Sequence, residues 1–220
     1  MDKTKPTPIY LEVGRKRVFA CTLDWPGWCR SGKSEQEAMD ALYQVSSRYS
    51  QVAELAGVPF PGAAAESFDV VERVRGTGTT DFGAPGEFLT RDAEPLDGEE
   101  AKRLAKLVEA SWTTLDQVVA DAPPELRKGP RGGGRDRDEV FEHVVAAEFA
   151  YARKLGIRHK QPPEGDGNAI STLRKDLLKV IGSPSDGRPP IDKGWPPRYA
   201  ARRIAWHALD HAWEIEDKSD

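Results

Sequence analysis

Two hydrophobic periodicities divide the chain. Between Ile9 and Leu23, β-forming residues flank a glycine turn: Ile9-Tyr-Leu-Glu-Val13, then Gly14-Arg-Lys-Arg17, then Val18-Phe-Ala-Cys-Thr-Leu23, which predicts a hairpin. Asp24-Trp-Pro-Gly27 breaks the second strand. Ser34-Glu-Gln-Glu37 has the form of a capping box, with serine and glutamate placed to satisfy the orphan N–H groups of a first helical turn, and it predicts a helix running to about Ala56. Pro59, Pro61 and Gly62 end that helix, and Phe68-Asp-Val-Val-Glu-Arg-Val74 predicts a returning strand. Residues 1–75 therefore read as a small ββαβ unit.

Residues 76–97 are rich in Gly, Thr and Pro and read as a linker. From Gly98 the apolar residues adopt helical spacing, in stretches of about 98–121, 136–156, 168–182 and 197–217. Strong breakers separate them: Pro123-Pro124 and Gly132-Gly-Gly134, Pro162-Pro163, then Ser183-Pro184 and Pro189-Pro190. Four helices with apolar faces predict a bundle over residues 98–220, and separators this long allow crossover connections. The expected fold class is α+β, with two separable halves.

Charge excludes some partners. The net charge is −4, with 11 Lys/Arg against 13 Asp/Glu in residues 1–92 and 21 against 23 in residues 93–220. Neither half is a basic module, so no nucleic-acid partner is expected. No apolar run approaches a membrane span, and Met1-Asp-Lys-Thr-Lys-Pro6 lacks the apolar core of a signal peptide, so a cytoplasmic protein without membrane contact is expected. Cys21 and Cys29 form neither a disulfide framework nor a Cys-x-x-Cys motif, and read as an ordinary strand residue and a loop residue.

The candidate chemistry lies in the histidines. His207 and His211 stand four apart in Ile204-Ala-Trp-His-Ala-Leu-Asp-His-Ala-Trp-Glu-Ile215, so they share one helix face and can grip one cation. His143 lies in a second helical run, Val140-Phe-Glu-His-Val-Val-Ala-Ala147. Three histidines with an exchangeable fourth position form the pattern of catalytic rather than structural zinc. Because each ligating imidazole must be neutral, occupancy is expected to fall below about pH 6. Glu148 and Glu214 are the carboxylates expected to orient a ligand or accept a proton. His159, in Arg158-His-Lys-Gln161, reads as a solvated loop residue.

Three other features receive structural readings. Gly27-Trp-Cys-Arg-Ser-Gly-Lys-Ser34 satisfies the phosphate-loop pattern, but its strand belongs to a hairpin and no downstream strand ends in a magnesium-binding aspartate. Gly27 is expected to make a turn and Ser34 to cap a helix. Gly132-Gly-Gly134 lacks the preceding strand of a dinucleotide fingerprint and reads as a loop. Arg202 and Arg203 read as a solvated helix face, Arg202 being the one placed to lean toward an anionic substrate.

On these residues the two halves resemble known families. Ala122-Pro-Pro-Glu-Leu126, the His143 to Glu148 spacing, and His207, His211 and Ile215 in the last helix resemble the DinB-like four-helix-bundle family over about residues 98–218. That family includes thiol-dependent transferases and mycothiol-dependent isomerases. The resemblance implies a divalent metal on His143, His207 and His211, zinc first and nickel or iron as alternatives. This chain departs from many relatives in having Arg135-Asp-Arg-Asp138 where they carry a tryptophan, and Glu214 where they carry glutamine. Leu23-Asp-Trp-Pro-Gly-Trp-Cys-Arg-Ser-Gly-Lys-Ser-Glu-Gln-Glu-Ala38 resembles the HicB-like antitoxin fold over about residues 8–75, a module that binds a toxin ribonuclease, although no DNA-binding segment accompanies it.

The expected function is a divalent-metal protein, a thiol-dependent transferase or metal-dependent hydrolase acting on a small molecule or low-molecular-weight thiol. The alternative is a non-enzymatic regulatory protein, its N-terminal module binding a protein partner and its bundle stapled by metal. A homodimer is compatible with either.

Overall fold

The computed structural model describes residues 6–60, 67–129 and 133–219. Strands β1 (Thr7–Val13) and β2 (Val18–Thr22) form the expected hairpin, with the Gly14 N–H donating to the Arg17 carbonyl at 2.9 Å. After the turn at Asp24 to Gly27 the chain returns as β3 (Cys29–Gly32), antiparallel to β2. Sequence pattern did not show this strand, because Cys-Arg-Ser-Gly carries no alternation. The single expected helix is two, α1 (Glu35–Gln44) and α2 (Ser46–Leu55), divided at Val45 where Val-Ser-Ser are weak helix formers. Ser34 does start α1, its Oγ accepting from the Glu37 N–H at 3.2 Å. Strand β4 (Phe68–Arg75) pairs parallel with β1, so the sheet order is β3-β2-β1-β4 and the element order is βββααβ rather than ββαβ. Pro61, Gly62 and Gly132 lie outside the described residues.

Alternation along the strands gives the sheet two apolar faces. Ile9, Leu11, Val18 and Ala20 pack with Leu42 of α1 and with Tyr49 and Val52 of α2. Trp28, fully buried in this layer, donates its indole N–H to the Leu42 carbonyl at 2.9 Å. Tyr10, Phe19, Cys21 and Cys29 on the other face pack with Leu89 and Trp206. Cys21 and Cys29 stand opposite each other in the β2–β3 register and are joined as a disulfide, which corrects their reading as unrelated residues.

Residues 76–97 are ordered connections rather than a bare linker. They contain α3 (Gly78–Phe82) and a 3-10 turn (Thr90–Ala93). Glu12 of β1 is fully buried, and its carboxylate accepts from the Thr80 hydroxyl at 2.5 Å and from the N–H groups of Gly86 and Glu87 at 3.0 Å. An ionised carboxylate in the interior needs such donors to offset its lost hydration, so this contact pins the segment to the sheet.

The four long helices are α4 (Gly98–Asp121), α5 (Arg137–Lys154), α6 (Gly167–Ile181) and α7 (Pro197–Lys218), each within about two residues of its expected span. Their starts carry capping residues. The Asp97 carboxylate accepts from the Glu99 and Glu100 N–H groups, Asp136 forms a capping box with Glu139, Asp166 caps α6, and proline opens α7. They enclose a core that includes Leu104, Val144, Phe149, Leu177 and Ile204. The sheet's first layer runs on into Leu107 and Ala110 of α4 and Leu209 and Trp213 of α7, so apolar packing crosses the division read at residues 76–97. No helix among the described residues is long and apolar enough to cross a membrane.

Candidate metal centre

Helices α5 and α7 pack together and bring the three expected histidines to one place. The ring centroids are 5.1 Å apart for His143 and His207, 5.0 Å for His143 and His211, and 4.7 Å for His207 and His211. The rings meet at 67°, 86° and 85°, so each presents an edge to its neighbours. One ligand nitrogen from each lies within 4.8 Å of the other two. Around a tetrahedral ion with bonds of about 2.0–2.1 Å, nitrogens would stand roughly 3.3 Å apart, a closure within reach of side-chain torsions.

The donor set fits such an ion. His207 is buried, and its Nδ1 has no hydrogen-bond partner among the described residues. A buried polar atom in that state is rare in folded proteins, and coordination to an ion would satisfy it. His211 pairs its Nδ1 with the Glu214 carboxylate at 2.7 Å, which orients the ring and leaves Nε2 as its ligand atom. Glu214 is held in turn by the Lys218 ammonium at 2.5 Å. The hydrogen bond from His211, aided by Lys218 and opposed by burial, takes the Glu214 carboxyl down to about 2. Glu214 is therefore a poor proton acceptor at neutral pH and a good orienting group.

Burial, followed by the charges of the neighbouring imidazoles, pushes His207 down to about 2, and burial pushes His143 below its ordinary value. A lowered imidazole pKa preserves the neutral, ligating form at pH values below the ordinary 6.5 or so. The expected threshold of about pH 6 therefore moves downward. Metal content of gel-filtered protein equilibrated between about pH 4 and 7 should stay high through pH 6 and fall only at lower pH; release centred near 6.5 would contradict the burial argument.

Glu148 does not join the histidines. It lies five residues beyond His143 and so on a different face of α5. It is buried and accepts from Arg174 of α6 at 3.0 Å and 3.3 Å, while Arg174 also donates to Asp116 of α4 at 2.8 Å. Burial raises the Glu148 pKa against the pull of Arg174. His159 also stands apart, bonded to Asp176 of α6 at 2.8 Å rather than merely solvated.

Other side chains around the centre were missed. Tyr151, two turns beyond His143 on α5, places its ring 5.8 Å from that of His207 and 5.0 Å from Trp195. Tyr199 meets Trp195 edge to face with ring centres 4.9 Å apart, and Arg203 stands one turn before His207 on α7. The signal was present in the sequence, since Tyr199, Arg203, His207 and His211 share the same four-residue spacing. Arg202, by contrast, is committed elsewhere: it forms an ion pair with the buried Asp92 and donates to the Tyr10 hydroxyl at 2.6 Å.

The phosphate-loop pattern has a structural explanation here. Cys29 to Gly32 are strand, and the Lys33 N–H donates to the Glu37 carboxylate at 2.8 Å. Gly27, at φ +94°, lies against α7, where a Cβ would stand 2.7 Å from Leu209. No protein-family model, curated protein or solved structure matches the chain.

Proposed function

We propose that the protein is a divalent-metal protein with His143, His207 and His211 as ligands, working as a thiol-dependent transferase or a metal-dependent hydrolase. The convergence of three ligand nitrogens within 4.8 Å, with no carboxylate in the group, carries this reading. Three neutral ligands leave the double charge of a cation intact and one position exchangeable. A divalent cation bound there supplies a Lewis acid that brings a water or thiol pKa toward neutrality. Glu214 holds the His211 ring and its tautomer, while Tyr151, backed by Trp195, walls the site on the α5 side. Zinc suits three imidazoles best, with nickel and iron as alternatives.

Cobalt(II) titration of the apo protein, followed by addition of azide, tests this reading. Saturable visible absorption bands that shift with azide are the expected result, and they should be lost in His207→Ala. Absence of saturable cobalt uptake would overturn the proposal. Bands insensitive to azide would mark a closed structural site and favour the non-enzymatic alternative.

A further inference from the structure

Helix α7 carries three arginines toward the interior, and two are matched by acids. Arg198 pairs with Glu100 and Arg202 with Asp92. Arg203 has no acidic partner among the described residues, although it is half-buried; its one hydrogen bond is to the Pro85 carbonyl at 2.6 Å. A guanidinium withdrawn from water carries five N–H donors, so most of its hydrogen-bonding capacity is open. Its position ties it to the histidine centre. It precedes His207 by four residues, which is one helical turn on the same face. Its carbon lies 4.8 Å from the centre of the Trp206 ring and 5.7 Å from that of Tyr151, and both rings stand 5.8 Å from His207.

Two further observations give this corner a sign. The indole N–H of Trp206 is buried without a hydrogen-bond partner among the described residues, so donors exceed acceptors around Arg203. The nearby acids are already matched, Glu214 by Lys218 and Asp210 by Arg30. The surrounding surface is aromatic: Tyr151 and Trp195 are half-buried, and Phe88 is 53% exposed with its ring 4.4 Å from Tyr199.

We infer that the site takes a small organic anion, a carboxylate on a flat apolar body, with Arg203 as its counter-charge beside the three-histidine centre. The inference rests on the metal reading above and adds the substrate class. Arginine offers a carboxylate two parallel N–H donors, a geometry that lysine lacks. The aromatic rings supply the apolar contact, and the Trp206 and Tyr151 faces hold the guanidinium through cation–π contact without accepting its in-plane N–H hydrogen bonds.

Benzoate, with benzamide as its neutral isostere, probes this in cobalt-loaded protein whose exchangeable position is filled with saturating azide, so that the carboxylate meets Arg203 rather than the metal. Benzoate should perturb the cobalt bands and bind at least 10-fold more tightly than benzamide. Arg203→Gln should weaken benzoate by about 10- to 100-fold, the size of a lost charge-assisted hydrogen bond, with cobalt stoichiometry and azide response retained. Arg203→Lys, which keeps the charge but not the fork, should recover part of the loss. Because Arg203 also holds Pro85, the comparison of the two ligands on the unaltered protein stands even if a variant fails to fold. Equal binding of benzoate and benzamide, or a benzoate affinity unchanged in Arg203→Gln, would overturn the inference while leaving the metal site intact. Failure of cobalt and azide to bind would overturn the metal reading itself.

Discussion

Replacing Trp213 with alanine is expected to lower the unfolding free energy of the whole chain by about 3–5 kcal/mol, the usual cost of removing a large aromatic from a core. Trp213 belongs to the last helix, but its 2% exposed ring is buried against the sheet layer formed by the first half, with the Arg30 guanidinium 4.2 Å above it. Urea unfolding followed by circular dichroism and fluorescence should show one cooperative transition whose midpoint falls in the variant. The same packing bears on the expectation that the halves separate. A fragment beginning near residue 94 would expose Leu107, Ala110, Leu209 and Trp213 together, and it should be less stable than the full chain. Two independent transitions, only one of them affected by Trp213→Ala, would show that this layer does not couple the halves.

Glu148→Ala should also cost about 3–5 kcal/mol, because it leaves the largely buried Arg174 guanidinium without its interior counter-charge. The exposed Asp116 on its other side would compensate only in part. Metal stoichiometry should be unchanged, since this carboxylate is turned away from the histidines. A variant of native stability that loses metal would return Glu148 to the site. This outcome separates an interior ion pair from a catalytic group, two roles that sequence spacing alone could not distinguish.

Much of the helical architecture was legible because its signals are local. Apolar residues at helical spacing and the strong breakers between helices act within a turn or two, and all four long helices lie close to where those signals placed them. The histidine centre was legible for a similar reason: the His207 to His211 spacing is a local geometric statement, and His143 needed only a neighbouring helix. What failed depends on long-range pairing. Strand β3 exists through its ladder with β2 rather than through its own residues, and the Cys21–Cys29 bond follows from that register. Segment 76–97 looked like a linker because Gly and Pro report backbone freedom, not the buried Glu12 carboxylate that collects its N–H groups. Of the adjacent Arg202 and Arg203, sequence singled out Arg202 to meet an anion, whereas Asp92, some 110 residues earlier, and Tyr10 of the first strand engage it in the fold.

The most direct measurement is elemental analysis of protein purified without a histidine tag, compared with His143→Ala, His207→Ala, His211→Ala and His159→Ala. About one divalent metal ion per chain is expected in the unaltered protein and in His159→Ala, with near-complete loss in each of the other three, because two imidazoles do not hold an ion that takes at least three protein ligands. Equal metal in the His207→Ala and His159→Ala proteins would contradict the three-histidine centre and the function built on it.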